Sequence, residues 1–265
     1  CLARPGYSPE QDLLMAEMAG NTVGYVDMTL ERCIGRVILD GWISPEHRRR
    51  GLAAKLLGGA LPRARELGAR VAHVNVMEGN EVAITALSKL GFQCVRRFLE
   101  LRLGMAGVRW QDVDRVALGC RPLGRGEENK LTQIQNRCFA GSWGFNPNTV
   151  EEIRYRTDLS GCSSEDILLT CEGDKAIGYC WTEVISGREA TGRKGRISML
   201  GTDPDYRSKG VGKRVLMAGL ARLSSKGACD VELTVDSENE AALALYRSLG
   251  FEVFSSSLWY EKVVG

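Results

Sequence analysis

Residues 45–92 and 204–251 carry one pattern twice, in register and without an insertion or deletion between the copies. The first copy reads PEHRRRGLAAKLL, then LGA, then NEVAITALSKLGF; the second reads PDYRSKGVGKRVL, then KGA, then NEAALALYRSLGF. Arg48, Gly51, Gly68, Asn80, Gly91 and Phe92 fall on Arg207, Gly210, Gly227, Asn239, Gly250 and Phe251. Self-similarity over this length means a duplicated folding unit, so the chain is expected to build one architecture twice.

Each copy passes from a strand-like run through a turn rich in Arg and Gly into a helix. Arg48-x-x-Gly51-x-Ala53 and Arg207-x-x-Gly210-x-Gly212 occupy that turn. Small residues let the backbone approach a ligand closely. The amides that open the helix point outward with the positive end of its dipole behind them, which makes a cradle for a pyrophosphate. One hexapeptide of this kind is common at helix N-termini. Two of them, each followed at the same distance by N-E-x-A and L-G-F, are far more specific.

Together these motifs resemble the GNAT superfamily of acyl-CoA-dependent N-acyltransferases, whose pyrophosphate signature is [QR]-x-x-G-x-[GA]. The second half is also similar to the mycothiol synthase-like two-domain acetyltransferases, through Cys138-Phe139-Ala140, Gly178-Tyr179-Cys180-Trp181-Thr182 and Leu233-Thr234-Val235 leading into Asn239. The resemblance implies an α/β (α+β) chain of two GNAT-like modules in tandem, each a splayed, mixed and mainly antiparallel sheet flanked by helices. It implies acetyl-CoA (or CoA) as cofactor and an amine acceptor as second substrate. In the second module the cofactor would lie along Leu200, Thr202, Arg207, Ser208, Lys209, Gly210, Val211, Gly212 and Lys213, with Asn239 and Tyr246 beside the pantetheine arm. The matching positions of the first module are Arg48, Arg49, Arg50, Gly51, Leu52, Ala53 and Asn80.

For catalysis the resemblance implies a backbone amide near Leu200 as donor to the thioester oxygen, and Tyr246 as donor of the thiolate's proton. The first copy has Leu87 where the second has Tyr246, so the chemistry is placed in the second module. Tyr246 also reads as a core aromatic beneath the terminal Gly-Phe. Many family members carry a Glu on the strand before the phosphate turn, where this chain has Arg196-Ile197-Ser198-Met199. Glu183 on the neighbouring strand is the candidate base, with a solvated strand carboxylate as its other reading; Asp236 is a weaker candidate. The predicted reaction is direct transfer of an acetyl group to a primary amine of a small molecule, an amino sugar or a protein N-terminus. The alternative is a non-catalytic acyl-CoA-binding regulatory or scaffold protein.

Composition sets few further limits. The chain has 265 residues, 44% of them hydrophobic, with 35 basic and 33 acidic side chains for a net charge of +2. Near-neutral charge gives no case for nucleic acid or a membrane as partner, and the apolar runs are too short to span a bilayer. The expected compartment is the cytoplasm and the expected state a monomer or homodimer. The 9 cysteines are scattered without a C-x-x-C and only 2 histidines are present, so no metal site is expected. The run His47-Arg48-Arg49-Arg50 is read as serving the adenosine 3′-phosphate of the cofactor.

Hydrophobic periodicity supplies the elements. Strands are expected at 13–18, 23–30 and 36–39 with a Gly20-Asn21 turn, a helix over 53–67 stopped by Gly68, a strand at 71–77, a helix over 81–90 and a closing strand at 93–103. After a linker at 107–115 the pattern restarts: strand 116–121, helices 127–139 and 148–156, a hairpin of 167–171 with 176–185, strand 197–202, the helix after the phosphate turn, strand 231–235 and helix 240–249. The modules are thus 1–106 and 116–265. About a dozen residues precede the central hairpin of the first module against about fifty in the second, which reads as an N-terminal truncation of the first module or a chain that begins inside a longer polypeptide.

Overall fold

Alternating burial builds the strands of the first half. The computed structural model describes residues 6–108, 119–159, 163–185 and 192–264. After a one-turn helix α1 (Pro9–Asp12), strands β1 (Leu13–Met18), β2 (Asn21–Glu31) and β3 (Arg36–Ile43) form an antiparallel meander that turns Val26, Met28, Val37 and Leu39 inward. The first reversal falls at Ala19 and Gly20, with φ of 50° and 77°, and Asn21 already pairs with Met18. The turn therefore falls one residue before the expected Gly20-Asn21, with both central residues in the left-handed region as a type I′ turn requires. Helix α2 (Leu52–Glu66), strand β4 (Val71–Met77), helix α3 (Glu81–Lys89) and strand β5 (Gln93–Gly104) follow.

The second half opens on β6 (Cys120–Pro122), then α4 (Glu128–Phe139) and α5 (Val150–Thr157). Thr149 and Glu152 form a reciprocal capping box that starts α5 at Val150 rather than Asn148. Strands β7 (Ile167–Glu172) and β8 (Lys175–Ile185) make the expected hairpin, with Gly173 at φ 58°. Next come β9 (Arg193–Thr202), α6 (Val211–Ser225), β10 (Ala228–Asp236), α7 (Glu240–Ser248) and β11 (Glu252–Val263). The expected linker from residue 109 onward, and residues 116–118 of the expected strand, lie outside the described residues.

Two compact units emerge: Cys1–Phe98 with Ser256–Gly265, and Leu99–Ser255. In the first the strand order is β1-β2-β3-β4-β11, and in the second β5-β10-β9-β8-β7-β6. The closing strands thus do not stay with their own repeats. Residues 99–104 of β5 belong to the second unit, and β11 pairs antiparallel with β4 of the first from Ser257↔Met77 to Val263↔Val71.

Each unit is a mixed, mainly antiparallel sheet flanked by helices. Ala60, Ala64, Ala72 and Leu87 lie in the core of the first unit; Val215, Leu216, Leu220, Val231 and Leu233 lie in that of the second, which has a further core under α4 and α5. The parallel pairing is short in both. It joins β3 to β4 from Arg36↔Val71 to Ile38↔His73, and β9 to β10 from Arg193↔Ala228 to Ile197↔Leu233. Beyond those pairs β3 and β9 run on without that neighbour, so each sheet parts at its centre.

Candidate functional site

The parted strands lead directly into the two Arg-Gly turns, which have nearly the same backbone. Ser44 and Asp203 start the turns at φ −50° and −51°, followed by a 3-10 turn and then Arg48 and Arg207 at φ −68° and −63°. Arg49 and Ser208 next take φ of 59° and 60°, and Gly51 and Gly210 take 77° and 78°. A non-glycine residue in the left-handed region costs about 1–2 kcal/mol. Both repeats accept that strain at the same place, which is characteristic of a backbone shaped for a ligand.

The helices behind the turns present unpaired amides. Gly51 and Gly210 are the N-caps of α2 and α6, and neither helix has a side-chain cap. The first bond back into each helix is donated by Lys55 to Gly51 O at 3.1 Å and by Arg214 to Gly210 O at 3.0 Å. The preceding amides have no intrahelical acceptor and offer an anion a ring of donors. A Cβ on Gly51 or Gly210 would meet nothing within 4 Å, whereas one on Gly212 would come within 3.2 Å of Thr202 Oγ1. Backbone rather than side chain faces the open side, and this donor set fits a pyrophosphate.

The signature arginines bond to backbone carbonyls. Arg48 Nε donates to Ile43 O at 3.1 Å and Arg207 Nη2 to Cys138 O at 2.9 Å, so both guanidinium groups brace the turn from behind. Arg49, Arg50 and Lys209 are exposed. Asn80 and Asn239 each accept a bond at 3.1 Å, from the amides of Ala83 and Ala242, and so cap α3 and α7. Behind the second turn the buried Asp203 carboxylate accepts from Arg137 at 2.8 and 3.0 Å and from the amide of Asp205 at 3.0 Å, with Lys175 at 3.3 Å. Arg137 foremost holds that carboxyl well below the usual range.

A feature that periodicity did not reveal separates the two units. Trp181 pairs with Met199 and Thr182 with Ile197, so Ser198 is an extra residue that bulges β9 just before Leu200. The pairing of β3 with β2 runs from Ile43 to Arg36 without a shift. Bulges re-aim side chains and interrupt a ladder, commonly next to active sites. The signal was present in Ile197-Ser198-Met199-Leu200, where strict alternation fails.

Leu200 and Tyr246 meet in one apolar cluster with Leu216, Val235 and Phe251. Tyr246 is 6% exposed, its ring 5.8 Å from that of Phe251. Burial, with a smaller contribution from Cys180, raises its pKa, so the phenol stays protonated. Glu183 is not brought to this cluster. A Cβ on Gly219 of α6 would run into Cys180 and Thr182, so the next side chain of β8, Glu183, projects from the opposite face, across from Arg196. Asp236 accepts the amide of Glu238 at 3.0 Å. Burial pushes the Cys138 thiol up to about 12 and the Cys180 thiol higher still, so neither supplies a thiolate.

The sequence profile described as the acetyltransferase (GNAT) family matches residues 5–92 and again 129–251. A mycothiol acetyltransferase of Amycolatopsis mediterranei is 30% identical over 97% of this chain and 86% of its own length. One from Actinosynnema mirum is 29% identical over 97% and 85%. Among solved structures, a GCN5-related N-acetyltransferase from Sphaerobacter thermophilus superposes with a TM-score of 0.72 at 21% identity, over 98% of this chain and 83% of that one. A tandem GNAT protein from the clavulanic acid biosynthesis pathway gives 0.69 at 15% identity, over 100% and 85%.

Proposed function

This chain belongs to the acetyltransferase (GNAT) family, and we propose that its second unit transfers an acetyl group from acetyl-CoA to a primary amine. The bulge at Ser198 carries the assignment: it lies on the strand that feeds the 207–213 cradle and has no counterpart in β3. When bound, acetyl-CoA supplies an activated thioester. The amides that open α6 hold its pyrophosphate, and the Leu200 amide receives the oxygen as it gains charge. Tyr246 donates a hydrogen bond to the departing sulfur. Its raised pKa makes complete proton transfer to a thiol, ordinarily near 8.5, unfavourable. Glu183, which projects from the face opposite Tyr246, would take the amine's proton from that side, directly or through water. The protonated Cys138 and Cys180 support direct transfer over a cysteine relay.

The first unit keeps the cradle backbone at 48–53 but lacks both the bulge and a phenol, having Leu87 in place of Tyr246. That combination supports acyl-CoA binding there without turnover. Its relatives' name brings a mycothiol precursor into the acceptor panel, beside amino sugars and peptide N-termini. Arg196, at the position where many family members carry Glu, favours a different contact to the acceptor.

Calorimetric titration of acetyl-CoA into the full chain, repeated with Gly210→Val and Gly51→Val, tests the reading. Gly210→Val is expected to abolish turnover and one binding site, and Gly51→Val to leave turnover in place. Absence of any acetyl-CoA binding to the unaltered chain would refute the proposal.

A further inference from the structure

The second unit's sheet contains a carboxylate that comes from the first repeat. From Leu99 onward β5 belongs to the second unit, where Leu101 and Leu103 are buried in the same core as Val231, Leu233 and Val235 of β10. Alternation sends Glu100 and Thr234 to the opposite face. There Thr234 Oγ1 donates to Glu100 Oε2 at 2.8 Å. Leu233 is the last residue of β10 paired with β9, so Thr234 and Glu100 stand where the sheet begins to part.

Tyr179 and Trp181 of β8 face the same way, since Cys180 and Thr182 between and beyond them face α6. Tyr179 Oη and Trp181 Nε1 are buried without a hydrogen-bond partner among the described residues. Both side chains belong to the core beneath α4 and α5, on the same side of the sheet as Glu100 but three strands away from it. The neighbouring Glu232 is neutralised by Arg102 at 2.6 Å, with Lys194 at 3.7 Å. Glu100 accepts only a hydroxyl hydrogen and has no ion pair among the described residues.

The repeat supplies an independent contrast. Asn75 and Trp259 occupy in the first unit the places that Thr234 and Glu100 occupy in the second, and they are register partners. Trp259 packs edge-on against Phe98 at 6.3 Å and lies 6.1 Å from His73. The exchanged strand thus brings an indole to one parted sheet and an unpaired carboxylate to the other.

We infer that Glu100 is the acceptor-recognition carboxylate of the second unit, pairing with the ammonium group of a cationic acceptor at the parting before the amine is deprotonated for attack. The assignment rests on the acetyl-transfer reading. It makes the acceptor a molecule that arrives positively charged, and it explains why a residue of the first repeat matters to chemistry in the second.

The test uses the full chain, acetyl-CoA, and glucosamine, spermidine and a tetrapeptide with a free N-terminus as amines, with release of the CoA thiol as readout. Glu100→Gln, which preserves shape, is expected to raise the amine KM about tenfold or more, the loss of one charge-assisted hydrogen bond. The acetyl-CoA KM and kcat stay within about twofold, the salt dependence of the amine KM weakens, and Glu100→Asp recovers most of the effect. An unchanged amine KM in Glu100→Gln, with the unaltered chain active, overturns the inference alone. Acetylation of none of the three amines despite acetyl-CoA binding overturns it as well, whereas failure to bind acetyl-CoA refutes the acetyl-transfer reading itself.

Discussion

Single residues show where the sheet has no slack. A Cβ on Gly201 would come within 2.6 Å of Tyr179 Cε1 and 2.8 Å of Cys138 Cβ. Gly201→Ala is expected to lower stability by about 1–3 kcal/mol through overpacking, measured as a fall in the urea midpoint. Tyr246→Phe keeps the ring against Phe251 and removes only the hydroxyl; kcat is expected to fall about 10–100-fold with acetyl-CoA affinity unchanged. Asp203 gives a pH signature. Its folded pKa lies below the unfolded value near 3.9, so its contribution is complete above that value and is lost as pH falls through the folded pKa. Asp203→Asn should therefore be less stable than the unaltered chain at pH 7, by about 2 kcal/mol, and the difference should close as the solution is acidified below pH ~3.

At the scale of elements, helix α2 formed where its apolar spacing placed it, although Pro62 interrupts it just after Gly58 and Gly59. Pro62 is exposed, lacks an amide to donate and crowds the preceding turn. Pro62→Ala is expected to stabilise the helix by up to about 3 kcal/mol, seen as a higher thermal midpoint for the first unit. Asn80 and Asn239, expected along the cofactor, are the side-chain caps of α3 and α7. The bulge in β9 showed only as a break in apolar alternation at 197–200. A strand's pattern says which residues are apolar, but only pairing with β8 reveals that Ser198 has no partner.

For the whole molecule, the repeat announced two units, and the matched backbone angles at 44–51 and 203–210 show how faithfully sequence fixed the turns. The closing strands follow a different rule from their sequence neighbours, β5 ending in the second unit and β11 in the first. Removal of Ser256–Gly265 is thus expected to expose β4 of the first unit, read as faster amide hydrogen exchange over 71–77. Expressed alone, residues 116–265 would lack the β5 edge that pairs beside β10 and should not unfold cooperatively.

The sequence by itself determined the duplication, the Arg-Gly turns and the position of Tyr246 on its helix, because each depends on local backbone preference or on spacing along the chain. Only the tertiary structure decided that the signature arginines brace the turns, that β9 bulges at Ser198, and that Glu100 stands beside Thr234. Those facts depend on which strand pairs with which, and pairing between residues far apart in sequence is chosen by burial over a whole face, which no local pattern encodes.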